Sequence, residues 1–237
     1  MYISRSNGWR LLSHKSKSDI FEGIQNQSYQ IVETLKEDYR SRVYRISLAD
    51  HHYVLKIPNE KNTKPWIRFL TWFRSGEAFK NIRGMIKLKE LEIDTTTPII
   101  AAEKRSFGMV VDSWLVYEYL DGKSCLDKEE YYPSVVEKLK KMHAKGILHG
   151  DAQIRNFMWI SGKIYVIDSN PKSTGLFTFS KTYEFAYLRK SAPGIDKYFG
   201  SINDSFWYKW SVQYDIYDRK LARWRKRVKK AIKGLFK

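Results

Sequence analysis

Three oxygen-bearing side chains are spaced as a divalent cation and a phosphate require. Asp151 and Asn156 lie within His149-Gly-Asp-Ala-Gln-Ile-Arg-Asn156, and Asp168 follows in Ile167-Asp-Ser-Asn170. Two short apolar runs separate them, Phe157-Met-Trp-Ile160 and Ile164-Tyr-Val-Ile167, joined around Ser161-Gly162-Lys163. This pattern predicts an antiparallel hairpin. Such a hairpin carries its entry and its exit at one edge, so two carboxylates and an amide oxygen are expected to converge there. Magnesium takes hard oxygen ligands, usually one or two carboxylates completed by phosphate oxygens. The remaining oxygen-bearing group is then available to orient an acceptor hydroxyl.

A cation is expected on the same chemistry from upstream. Lys56 lies in Val54-Leu-Lys-Ile57 and, in a strand, points to the face opposite Leu55 and Ile57. Read alone, it is equally an ordinary exposed strand lysine. Arg40 and Arg42, in the glycine-free stretch Lys36-Glu-Asp-Tyr-Arg-Ser-Arg42, are further cations available to phosphate or to solvent. No glycine there means no close backbone approach of the kind a phosphate-cradling loop makes.

The elements that must position these groups fall into a strand-rich front and a helical back. Strands are predicted at Tyr29–Leu35, Val43–Leu48, His52–Ile57, Pro98–Glu103 and Ser113–Tyr119, with a hairpin turn at Ala49-Asp50-His51. One helix is predicted over Trp66–Lys89, where Ile67, Leu70, Phe73, Phe79 and Ile82 recur at helical intervals. After the break at Asp121-Gly122, Val135, Val136, Leu139 and Met142 mark a helix from Pro133 that stops at Gly146. The aromatic-rich remainder reads as helical. The expected division is 1–116 as front lobe, 117–218 as back lobe and 219–237 as a basic tail.

Composition narrows the classes. With 43% hydrophobic residues in 237, the chain can bury a core. One cysteine, Cys125, excludes an internal disulfide, and no Cys/His spacing suits zinc. The start of the chain lacks the apolar run of a signal peptide, and no stretch approaches the ~20 apolar residues of a membrane span. The net charge is +17, and residues 219–237 hold ten Lys/Arg and no acid, leaving +7 for the rest. Within that tail, Leu221, Trp224, Val228, Ile232 and Leu235 form one apolar stripe among cations. Such a helix suits either an anionic membrane surface, with Trp224 and Phe236 at headgroup depth, or docking on the back lobe. Too few aromatics interleave with its cations for nucleic-acid binding to be expected.

Together the Asp-x-x-x-x-Asn loop, the hairpin ending in Asp168 and the upstream Lys56 resemble the protein-kinase superfamily. The resemblance implies an α+β, bilobal protein-kinase-like fold with a strand-rich N-lobe, a helical C-lobe and a short catalytic hairpin. It implies that Asp151 meets the acceptor hydroxyl, that Asn156 and Asp168 hold Mg2+, and that Lys56 reaches the ATP phosphates. Lys56 would pair with a carboxylate of the next helix, Glu77 first, with Glu90 and Glu92 as alternatives. Tyr117-Glu-Tyr-Leu-Asp-Gly122 matches the hinge, so the backbone of Glu118 and Tyr119 is expected at the adenine, and Arg40 at phosphate. Gly150 stands where protein kinases usually have arginine, and Ser169-Asn170 replaces their Phe-Gly.

More narrowly, the chain resembles the lipopolysaccharide core heptose(II) kinases. The resemblance runs through Leu55-Lys56, Arg68-Phe-Leu, Gly76-Glu77, Ala102-Glu-Lys-Arg105, the hinge run, Gly150-Asp151, Asn156-Phe157 and Ile167-Asp168. It implies ATP as donor, a lipopolysaccharide inner-core heptose as acceptor, and work at the inner face of the inner membrane, on the cytoplasmic side. The alternatives are a kinase for another sugar, an antibiotic or a protein, and a silent kinase-like module that binds membrane or nucleic acid. Oligomeric state is not legible.

Overall fold

The computed structural model describes residues 2–13, 18–175 and 178–235. The chain divides into two compact units, one of Met1–Gly122 with Tyr165–Asn170, the other of Lys123–Ile164 with Pro171–Lys237.

The first unit contains β1 (Tyr2–Ser6), β2 (Trp9–Ser13), α1 (Ser18–Gln25), β3 (Gln30–Glu37), β4 (Arg42–Leu48) and β5 (His51–Ile57). There follow α2 (Asn59–Thr63), α3 (Pro65–Leu70), α4 (Glu77–Glu90), β6 (Pro98–Ser106) and β7 (Met109–Glu118). The seven strands make one sheet in the order β1-β2-β6-β7-β5-β4-β3, every pairing antiparallel. Its tight hairpins turn through two left-handed residues, Asn7-Gly8, Ala49-Asp50 and Phe107-Gly108. Two successive positive φ values match the right-handed twist of the flanking strands.

A helix covers each face of this sheet. On one face Ile20, Phe21 and Ile24 of α1 pack with Trp9, Leu11, Ile46, Leu55, Trp114 and Val116. On the other, Ala78, Phe79 and Ile82 of α4 pack with Leu12, Ala101 and Leu115. Lys56 stands opposite Leu115 in the register, and directly opposed residues share a face. The lysine therefore lies on the α4 side, as the alternation of β5 requires.

The single helix expected over Trp66–Lys89 is two helices, α3 and α4, with Thr71–Gly76 between them. The guanidinium of Arg105 ends α3: it donates to the carbonyls of Thr71 (2.9 Å), Gly108 (2.7 Å) and Arg74 (3.3 Å). The Thr71 hydroxyl accepts the Val110 N–H at 2.8 Å, fastening the break to β7. Carbonyls that a continuing helix would use internally are thus satisfied from a strand. Trp66, Phe69, Trp72 and Phe73 stack on one another around this break and are exposed.

The second unit holds β8 (Lys123–Ser124), α5 (Tyr132–Ala144), β9 (Ile147–Leu148), β10 (Phe157–Ile160), β11 (Lys163–Val166) and β12 (Lys172–Ser173). The last residues of β11 carry the chain back into the first unit. Helices α6 (Thr178–Ser191) and α7 (Phe206–Leu235) complete it. Strands β8, β10 and β11 form one small sheet, and β9 and β12 another. Val135, Val136, Leu139 and Met142 of α5 are buried as their spacing predicts, and Gly146 ends the segment at φ 75°.

Helix α7 is 30 residues long, about 45 Å at 1.5 Å per residue. Its first half packs on α6: Thr182 and Ser211 share a hydrogen bond of 3.0 Å, and Trp210 and Tyr214 meet Phe179 and Tyr183. Farther along, Leu221 is half-buried while Trp224 and Val228 are exposed. The side chains of Ile232 and Leu235, and Phe236 as a whole, lie outside the described residues. Among the described residues no helix is long and apolar enough to cross a membrane.

Candidate active-site residues

In the first unit, Lys56 and Asp168 meet although 112 positions separate them: the ammonium donates to the carboxylate Oδ1. Two features place Asp168. The end of β11 is tied to residues 94–95, through the Val166 N–H to the Asp94 carbonyl (2.9 Å) and the Thr95 hydroxyl to the Val166 carbonyl (2.7 Å). Asp168 then takes a left-handed φ of 47°, a region that aspartate tolerates better than most residues. The backbone turns away from the strand at that residue, and its side chain is swung to Lys56.

Tyr117, on the same sheet face as Leu115, is the third member of this cluster. Desolvation pushes its phenol above the ordinary range and the Asp168 carboxylate adds to the effect, so it stays a neutral hydroxyl.

The other residues expected near Lys56 are in the same unit. Glu77 opens α4 and is half-buried, but among the described residues the carboxylate that pairs with Lys56 is Asp168. Glu90 ends the same helix, and Glu92 lies just beyond it. Arg40 occupies the exposed β3–β4 turn. Its N–H and that of Ser41 are both held by Asp38 Oδ1 at 2.8 Å, and its guanidinium bonds the Tyr39 hydroxyl at 2.8 Å. The Glu118 and Tyr119 N–H groups donate to the carbonyls of Thr97 (2.9 Å) and His52 (3.3 Å), and Arg45 lies 4.2 Å over the Tyr119 ring.

In the second unit, Asp151 and Asn156 are brought together within one loop. The Asn156 amide donates to the Asp151 carbonyl (2.9 Å) and to its Oδ2 (3.1 Å). Asp151 Oδ1 accepts from the Gln153 amide at 2.7 Å, and that amide also meets the Tyr187 hydroxyl at 2.9 Å. Tyr187 is itself held protonated above its usual range, chiefly by burial, with Asp151's charge and hydrogen bond adding. Asp151 is thus oriented by donors on both of its oxygens.

A buried carboxylate from α6 fixes this loop to the body of its unit. Glu184 accepts the His149 N–H (3.0 Å), the Gly150 N–H, and His143 Nε2 of α5 (2.9 Å). Gly150, at φ 81°, makes the bend that presents its N–H, so glycine rather than a cationic residue suits this position. Sequence reasoning missed Glu184, Tyr187 and Tyr117. Gln153 lay inside the motif as a visible signal, whereas nothing marked Glu184 among the aromatics of α6.

Among the described residues no group of three or more His, Cys, Asp or Glu could hold a metal alone.

The comparisons with known proteins follow the same direction. A family model described as lipopolysaccharide core biosynthesis protein (WaaY) matches residues 11–231. A solved structure described as WaaP in complex with acyl carrier protein has a TM-score of 0.57 to this chain. It covers 92% of this chain and 97% of its own, at 18% identity. That likeness establishes the fold and bears out the expected α+β kinase-like architecture. No curated protein matches by sequence. With the family model spanning nearly the whole length, the expected phosphotransfer to a hydroxyl in lipopolysaccharide core assembly is borne out, and the chain belongs to the WaaY family of lipopolysaccharide core biosynthesis proteins.

Proposed function

We propose that the chain is an ATP-dependent kinase that phosphorylates a heptose of the lipopolysaccharide inner core. Family membership over residues 11–231 is the observation that carries this reading. In it, Lys56 binds the nucleotide phosphates, Asp168 and Asn156 are the magnesium ligands, and Asp151 receives the acceptor hydroxyl. Magnesium, when bound, supplies charge neutralisation for the transferring phosphoryl group. The orientation of Asp151 by Gln153 and Asn156 supports its role, since a proton acceptor must be held within hydrogen-bond reach of the attacking oxygen. Glu77 is proposed as a second partner of Lys56, Arg40 as a phosphate contact, and the backbone of Glu118 and Tyr119 as the adenine contact. The lobes are assigned as 1–116 and 117–218, with 219–237 as the membrane-facing end.

Membrane association at the inner face of the inner membrane is part of the proposal. It is supported by the second half of α7, where Trp224 is exposed among ten cations of residues 219–237. Each cation near an anionic surface adds about 1 kcal/mol before screening. Docking of the first half of α7 on α6 and exposure of Trp224 and Val228 farther along make both expectations for this helix compatible.

The deciding experiment is mass spectrometry of core oligosaccharide before and after incubation with the protein and Mg-ATP. A gain of one phosphate, located on a heptose, is expected. Phosphate transfer that survives Asp151→Ala unchanged would remove the catalytic assignment.

A further inference from the structure

A pocket of about 360 Å³ opens beside Asp151, entirely within the second unit. This lies at the small end of the range for small-molecule sites. Residues 150–152 line it together with Phe179, Tyr183 and Tyr187 of α6. Spaced four residues apart, these rings share one face of the helix. Successive centroids are 6.0 and 6.5 Å apart, with planes inclined by 30° and 16°. They make a continuous aromatic wall that ends at the Tyr187 hydroxyl, next to Asp151. Lys172 also lines the pocket, opposite Leu148 in the β9–β12 pair, and has no ion-pair partner among the described residues.

We infer that this pocket is the acceptor subsite: a pyranose lies its C–H surface against the α6 ring wall, and an anionic group on that sugar or its neighbour meets Lys172. The inference rests on the kinase reading and gives it a specificity-determining surface. A sugar ring offers an apolar C–H surface edged by hydroxyls, which suits a wall of aromatic ring surface edged by the hydroxyls of Tyr183 and Tyr187. A hydroxyl reaching that end is placed at the Asp151 carboxylate. Lys172 is the one cation in a lining that also carries the carboxylates Asp151 and Glu184, so a phosphate or carboxylate on the acceptor is expected at Lys172 and away from the Asp151 end.

The test uses the full-length protein and heptose-containing core oligosaccharide freed of lipid, either untreated or treated with phosphatase. Acceptor KM and ATP KM are measured, together with saturation-transfer NMR of oligosaccharide binding without nucleotide. Tyr183→Leu is expected to raise the acceptor KM at least fivefold and weaken oligosaccharide binding equally, with ATP KM unchanged. Tyr183→Phe, which keeps the ring, is expected to remain near wild type and controls for folding. Lys172→Gln is expected to raise the acceptor KM severalfold. Phosphatase treatment erases that effect if the anion is a phosphate and preserves it if the anion is a carboxylate. Transfer that proceeds with acceptor KM and binding unmoved by both Tyr183→Leu and Lys172→Gln overturns the subsite while leaving the kinase reading intact. Tyr183-dependent oligosaccharide binding without any phosphate transfer by the wild type supports the subsite and sinks the kinase reading.

Discussion

Replacing Glu184 by glutamine tests whether a buried side chain that touches no substrate sets the position of Asp151. Three N–H groups converge on this carboxylate: those of His149 and Gly150, and the His143 ring. The amide oxygen of glutamine can still serve His149 and His143, which share Oε2. Its NH2 then faces the Gly150 N–H, donor against donor. The change loses one charge-assisted bond, worth ~1.5–3 kcal/mol, while the Gly150 N–H, on an exposed residue, turns to water. For a chain of this size each kcal/mol moves Tm by about 2–4 °C, so a fall of roughly 3–12 °C is expected. Since His149 and Gly150 precede Asp151 directly, kcat should fall at least tenfold below the unfolding temperature, with ATP KM nearly unchanged. Thermal unfolding by circular dichroism and steady-state kinetics measure both. A variant within 1 °C and twofold of wild type would show that Glu184 holds nothing in place.

Four further outcomes are expected. Lys56→Met should slow transfer about a hundredfold, as for loss of one preorganised cation, with little change in Tm, because the Asp168 side chain is 56% exposed and such pairs contribute ~0–1 kcal/mol; a Tm fall above 5 °C would make the pair structural instead. Burial pushes the Cys125 thiol up to about 12, so at pH 8 roughly one molecule in ten thousand is thiolate. Iodoacetamide should leave the native protein unlabelled and label it rapidly in guanidinium, as mass spectrometry will register. Burial, opposed by Arg105, raises the Glu103 carboxyl above its ordinary 4.5, so the folded chain holds a proton that the unfolded chain releases. Stability from this group is complete below about pH 4.5 and is lost as pH rises through the raised value; Glu103→Gln should flatten Tm against pH there, and parallel curves would contradict it. Removing residues 219–237 should abolish salt-sensitive sedimentation with anionic vesicles while Tm stays near wild type, since the truncation keeps Ser211, Tyr214 and Asp215, which hold α7 to α6.

Local sequence signals were sufficient where local chemistry decides the structure. The β10–β11 hairpin stands where alternation and Ser161-Gly162 place it, and β4 and β5 agree with their predicted spans to within a residue. Strands β1 and β2 went unread although Asn7-Gly8 between them is a strong hairpin signal. β1 is exposed along nearly all of its length, so its sequence carries no apolar alternation. The α3–α4 break was hidden for another reason: its cause, Arg105, is more than thirty residues away on a strand. Glu184 was illegible on the same ground. A carboxylate that binds backbone N–H groups leaves no mark on the residues whose N–H it takes.

The return of Tyr165–Asn170 to the first unit has a consequence for how the chain is made. As it leaves the ribosome, the front sheet is fully synthesised at Gly122, yet its Lys56 must wait for Asp168 to be translated. At about 5–20 residues per second that interval is on the order of 2–10 s. During it the sheet holds an ammonium without its carboxylate and an unoccupied docking edge at residues 94–95. The front half therefore matures only after much of the back half has emerged, and a gene fragment ending at the lobe boundary would encode an incomplete unit.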